Sequence, residues 1–289
     1  MGTQRRAYFY AIAAVLLWST VASAFKISLR HIQVLPLLFC ASLTSTAVLF
    51  CILSAGRKLN SLKILTRREC LNSALLGFLN PFLYYIVLFN AYSRLPAQTA
   101  QPLNFTWPIM LVLLSVPLLH QRIKFTSIFA ILISFAGVYV IATRGDVLGF
   151  RFTDTPGVLL ALGSSLIWAL FWIYNLRDTR DEILKLFLNF AFGSLFTLVS
   201  LVLFSDAPAP NFKGILGSVY VGLFEMGITF LFWMRALRLS KTTAPVANLI
   251  YLVPFISVVI IHFAVGEEIF LSTLIGLALI VTGIVLQKL

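Results

Sequence analysis

Apolar residues run along this chain in ten long stretches, separated by short segments rich in charge, proline or glycine. The stretches cover 7–25, 34–54, 71–92, 96–119, 125–143, 155–175, 183–205, 214–237, 244–264 and 269–288. Each is close to the roughly 20 apolar residues that a helix needs to cross a bilayer. The pattern predicts an all-α integral membrane protein with ten transmembrane helices and little chain left for an external domain. A cleaved secretory signal is the competing reading of the N-terminus. It fails because the apolar run from Ala7 is long.

Composition agrees. Hydrophobic residues make up 60% of the chain and charged residues 11%, against about 25% charged in soluble domains. The net charge of +12 would suit nucleic acid, but its placement suits topology better, because cytoplasmic loops of membrane proteins collect Lys and Arg. With the N-terminus inside, the inner loops hold Arg5, Arg6, Arg57, Lys58, Lys63, Arg67, Arg68, Arg122, Lys124, Arg177, Arg180, Lys185, Arg235, Arg238, Lys241 and Lys288. The outer loops hold Lys26, Arg30, Arg94, Arg144, Arg151 and Lys213. That is 16 of 22 inside and 6 outside, as expected for ten crossings with both termini cytoplasmic. Cys40, Cys51 and Cys70 have no metal-type spacing and form no disulfide framework, so they read as packing residues.

The second half of the chain echoes the first. Leu17-Trp18 in the first stretch matches Ile167-Trp168 in the sixth. Gly77-Phe78-Leu79-Asn80 matches Gly222-Leu223-Phe224-Glu225, and each polar position is followed 11 residues later by Ala91 or Ala236. Asn104, Trp107 and Pro108 match Asn248, Tyr251 and Pro254. Gly137 and Gly283 each lie 29 residues after their proline. Five helices is an odd number, so a second copy enters the membrane the other way up. The expected organisation is a first repeat over 1–146, a linker over 147–154 and an inverted repeat over 155–289, forming one transport bundle. Inverted repeats place a substrate site near the midplane and expose it alternately to the two sides.

These residues resemble the drug/metabolite transporter superfamily in its ten-helix EamA-type branch. The resemblance is carried by Trp18-Ser19-Thr20, the Ala91 to Ala100 turn, the segments Ala236-Leu237 and Ala244-Pro245, and Tyr251-Leu252-Val253-Pro254. Gly266-Glu267 and the last helix with Gly276 and Gly283 complete it. It covers nearly the whole chain. The first half departs from the pattern, with Gln121-Arg122 where the second has Glu267-Glu268. Within the branch the chain is most similar to the YddG-type exporters of aromatic amino acids. That resemblance implies export of aromatic and other neutral amino acids across a bacterial-type inner membrane.

Polar residues inside membrane helices usually face the bundle interior or a water-filled cavity. Gln98, Gln101, Asn104, Phe105 and Pro108 share one face of the fourth helix. Amides without charge suit a zwitterion, since they donate and accept; they also serve as interhelical glue. Ser165, Trp168, Trp172 and Asn175 share a face of the sixth helix, with Trp18 as the repeat mate of Trp168. Aromatic rings offer stacking, although Trp near helix ends is also a common interface anchor. Asn80, Tyr84 and Leu88 form a stripe beside Pro81, which frees a backbone carbonyl. The candidate substrate residues are therefore Asn104, Gln101, Trp168, Trp172, Tyr84, Asn80, Trp18, Ser165, Asn248 and Tyr251. Glu225 is the one carboxylate placed within a span and is the candidate proton-coupling group; its other reading is a structural glutamate bonded to a nearby Tyr or Thr.

Rival classes lack their signatures. No His-Glu-x-x-His pair, phosphate loop or paired intramembrane aspartates points to an enzyme, and no charge ring or repeated filter points to a channel. Nucleotide-sugar cargo would call for basic groups near the midplane, of which the spans show almost none, Arg235 sitting close to the inner end, so drugs and other metabolites are the alternative cargo on the same fold. No cofactor, metal, nucleic acid or obligate protein partner is expected; the partners are the lipid bilayer and a small neutral amino acid.

Overall fold

The computed structural model describes residues 3–120, 125–149, 152–206, 208–240, 246 and 248–286. Gln121, Arg122, Lys124, Arg151, Lys241, Ala244, Pro245 and Lys288, which enter the charge and motif readings, lie outside the described residues. The described chain is helical, without strands. Its long helices are α1 Thr3–Ser28, α2 Val34–Ala55, α3 Arg67–Arg94, α4 Ala97–Leu119, α5 Phe125–Ala142, α6 Thr155–Leu176, α7 Glu182–Phe204, α8 Phe212–Leu239, α9 Leu249–Val265 and α10 Leu271–Leu286. Seven are long and apolar enough to span a bilayer; α5, α9 and α10 are shorter apolar helices. Among the described residues each of the ten expected spans is occupied by a helix, and α1, α3 and α8 extend a few residues beyond their predicted ends. Four helices start on a side-chain cap, from Thr66, Asp154, Asp181 and Asn211, which satisfies amides that the first turn leaves unpaired.

The helices meet mainly across the two halves. α5 lies along α10 and α2 along α7. α1 packs against α8 and α9, and α6 packs correspondingly against α3 and α4. The first part of α8 rests on α2, as the first part of α3 rests on α7. Exchanging each helix for its counterpart five positions away maps this set of contacts onto itself. The protein is therefore one interleaved bundle and not two five-helix bodies side by side.

Small residues make the closest crossings possible. A Cβ at Gly137 on α5 would overlap the Gly276 carbonyl oxygen on α10, and a Cβ at Gly283 would overlap the Ala130 carbonyl oxygen. Gly137→Ala should lower stability by about 1–3 kcal/mol through overpacking, seen as a lower midpoint of thermal unfolding in detergent. An unchanged midpoint would mean that α5 and α10 do not approach this closely.

Charged groups separate to two ends of the bundle. At one end Lys58 pairs with Asp181 at 2.5 Å, Arg180 with Asp178 at 2.5 Å and Arg238 with Glu182. At the other end Lys26, Arg30, Arg94, Asp154 and Glu267 gather around the ends of α1, α3 and α9.

Candidate functional site

Four helices are broken at repeat-related places. α3 is interrupted over Phe78–Leu83, where Asn80 takes an extended backbone (φ −147°, ψ 120°) before Pro81. α8 is interrupted at Glu225–Gly227, and the Thr229 hydroxyl takes up the Phe224 carbonyl released there. α4 turns at Phe105 and Thr106 before Pro108 restarts it, and α9 opens as a tight turn over Leu249–Leu252 before Pro254. Proline in the first turn of a helix needs no amide partner, and its fixed φ already suits the helix it opens. Irregular backbone at membrane depth survives only where protein or water covers it.

The breaks surround a cavity of 510 Å³, within the range of small-molecule sites. All five tryptophans of the chain, Trp18, Trp107, Trp168, Trp172 and Trp233, line it. Membrane tryptophans are usually enriched at the two lipid–water interfaces, so their convergence here is a departure that packing alone does not require. Trp18 and Trp168 both neighbour Phe230, with ring centroids 5.6 and 6.0 Å away. Tyr84 lies 4.6 Å from Trp168 at a 34° tilt, and Trp18 lies 5.7 Å from Trp233.

A few polar groups interrupt this aromatic wall. The Tyr84 hydroxyl donates to Asn104 Oδ1 at 3.3 Å, and Asn104 Nδ2 donates to the Ser164 hydroxyl at 2.8 Å. Gln101 Nε2 donates to the Ser257 hydroxyl at 2.6 Å. The Tyr85 hydroxyl donates to Glu225 Oε1 at 3.0 Å. Glu225 is thus both a cavity residue and the tyrosine-bonded glutamate of the structural reading. Two polar atoms on lining residues, Gln101 Oε1 and Trp172 Nε1, are buried without a hydrogen-bond partner.

The cavity extends toward the end of the bundle where α6 and α8 finish. Leu176 and Leu237 line it there, and Leu176 is 70% exposed. The opposite end is tied shut. The Glu267 carboxylate accepts from the Ala97 and Gln98 amides at 2.8 and 3.1 Å. Gln98 bonds the Glu268 carbonyl and accepts from the Phe270 amide at 3.0 Å. Lys26 Nζ donates to the Tyr92 and Leu95 carbonyls at 2.8 and 2.6 Å, and Arg30 to the Val265 carbonyl at 3.0 Å.

Residues 5–143 and 155–287 each match the EamA-like transporter family. The chain belongs to that family. An uncharacterized transporter of Bacillus subtilis, YvbV, is 29% identical over 94% of this chain and 88% of its own length. An uncharacterized transporter of Clostridium kluyveri is 25% identical over 98% of this chain and 93% of its own length. The aromatic amino acid exporter YddG of Ancylobacter novellus is 27% identical over 60% of this chain and 63% of its own length. One solved crystal structure superposes with a TM-score of 0.66 at 22% identity, covering 97% of this chain and 95% of that one, a likeness of fold.

In this EamA protein the cavity brings together Trp18, Tyr84, Gln101 and Asn104 with Trp168, Trp172, Tyr251 and Glu225. It does not include Asn80, Ser165 or Asn248. Asn80 is 1% exposed and enclosed at the α3 break. Ser165 is buried, donating to the Leu162 carbonyl and accepting from the Thr106 hydroxyl. Asn248 is exposed beside the first turn of α9. Gln98, on the same face as Gln101, belongs to the closed end. The cavity also recruits Tyr92, Phe230 and Trp233. Tyr92 continues the Tyr84–Leu88 stripe at the next turn; Phe230, Trp233 and Leu237 repeat at three and four residues, a signal the sequence carried.

Proposed function

We propose that this chain exports neutral amino acids, the aromatic ones among them, by alternating access across a bacterial inner membrane, with both termini in the cytoplasm. The observation that carries the proposal is the convergence of all five tryptophans on one cavity at four helix breaks. Rings supply stacking and apolar contact, and the side-chain amides of Gln101 and Asn104 supply donors and acceptors. The YddG likeness supports the same cargo. With the basic loops inside, the open end of the cavity faces the cytoplasm and the Glu267 end faces out.

Residues 1–146 and 155–289 act as the two inverted repeats, joined by 147–154. Because α1 packs on α8 and α9 while α6 packs on α3 and α4, the bodies that move combine helices of both repeats. Glu225 couples flux to protons in this reading. Liposomes containing the protein should take up tryptophan and phenylalanine saturably, each competing with the other, and Glu225→Gln should remove the response to a pH gradient. An unchanged pH response would leave Glu225 as the structural partner of Tyr85. Flux of charged nucleotides alone would overturn the substrate.

A further inference from the structure

We infer that the cavity also carries aromatic monoamines, organic cations with one ammonium on a short chain from an aromatic ring, and rejects aromatic acids that lack the ammonium. The inference rests on the proposed transport of amino acids and narrows its chemistry by charge.

Among the described residues that line the cavity, Glu225 is the one ionisable acid, and none is Lys, Arg or His. An ammonium entering here meets a carboxylate. Tyr85 occupies Oε1 of Glu225 and leaves the second oxygen to a ligand. The ammonium also meets the π faces of Trp18, Trp168 and Phe230, which attract cations through their ring quadrupoles.

A substrate carboxylate finds much less. The donors of the wall are all neutral: the indole N–H groups of the five tryptophans, the side-chain amides of Gln101 and Asn104 and the tyrosine hydroxyls. An anion met by neutral donors alone in a largely apolar cavity is poorly compensated for its lost hydration. Removing the carboxylate from an aromatic amino acid therefore sacrifices only neutral hydrogen bonds and relieves an unpaired charge. Removing the ammonium instead leaves Glu225 unmatched and adds a second negative charge to the same cavity. The wall thus ranks ligands as aromatic amine, then amino acid, with the aromatic acid far behind.

The test uses the full chain in proteoliposomes with three indole probes: tryptophan, indole-3-propionate, and the trimethylammonium derivative of tryptamine, which cannot cross lipid as a neutral amine. Saturable flux of the ammonium probe, competing with tryptophan, is expected, with indole-3-propionate failing to compete. Glu225→Gln should lower the ratio of ammonium-probe flux to tryptophan flux by about tenfold, since the amide removes the negative charge that attracts the probe's fixed cation and, with it, the repulsion felt by the tryptophan carboxylate. Glu225→Asp, which keeps the charge, should restore that ratio, and both variants are checked for wild-type unfolding midpoints. If tryptophan is carried and the ammonium probe neither moves nor competes, the inference falls and the amino-acid reading stands. Equal competition by indole-3-propionate also overturns it. If no probe is carried or competes, the amino-acid reading falls with it.

Discussion

Trp168→Ala should lower tryptophan flux through the reconstituted protein by about tenfold or more, and Trp168→Phe should recover much of it. Trp168 sits within 6.0 Å of four rings, those of Tyr84, Phe171, Trp172 and Phe230. It also lines the cavity. A ring pair contributes about 0.5–1.5 kcal/mol beyond its buried area, and 1.4 kcal/mol is about a tenfold change. Truncation removes the ring a substrate would stack on and loosens its neighbours as well. A fully packed aromatic replaced by alanine costs about 3–5 kcal/mol of stability; Trp168 is only partly buried, so its cost lies below that. The Phe variant separates the two effects, because it keeps an aromatic face while losing the indole N–H. Flux through Trp168→Ala equal to wild type would remove this ring from the pathway.

The second large effect concerns the closed end. Glu267→Ala should shift the protein toward the conformation open at that end. The carboxylate binds two amides at the start of α4, where the helix dipole favours negative charge. Hydrogen bonds to charged groups contribute about 1.5–3 kcal/mol each. Losing about 3 kcal/mol of bias changes a two-state ratio by roughly a hundredfold. Lys26 and Arg30 hold neighbouring carbonyls at the same end, so the shift should be partial and should grow when Lys26→Ala is added. The readout is labelling by a membrane-impermeant maleimide, with the three native cysteines replaced. Tyr92→Cys should label faster in the Glu267→Ala background, and Leu176→Cys more slowly. Unchanged rates at both positions would contradict a role for this latch.

Much of the fold was legible in the chain. Length and hydropathy predict ten helices because a bilayer leaves few other options for runs of apolar residues. The repeat aligned the segments that break, with a polar residue at Asn80 and Glu225 in α3 and α8 and an asparagine followed by a proline in α4 and α9, but freed backbone was legible only at Pro81. What one-dimensional periodicity cannot supply is the partner of each face. Gln98 and Gln101 share a face of α4, yet one turn of separation puts Gln98 in the latch and Gln101 in the cavity. Asn80 and Glu225 are repeat mates, yet only Glu225 lines the cavity. The interleaving of the halves was invisible for the same reason, since a sequence repeat states which segments are alike and says nothing of which segments touch. The Glu267–Ala97 bond, 170 residues apart, belongs to that class. The tryptophans were a stronger signal than their separate positions suggested: each one alone is explained by helix packing or lipid contact, and their meaning appears only when the fold brings all five together.

The same five residues provide the most direct test. Phenylalanine does not emit where tryptophan does, so its binding can be followed through the protein's own fluorescence. If the cavity is the substrate site, titration of the purified protein should shift or quench tryptophan emission saturably, over the concentrations that saturate phenylalanine flux in liposomes. Saturated flux with an unaltered tryptophan spectrum would place the substrate elsewhere in the bundle.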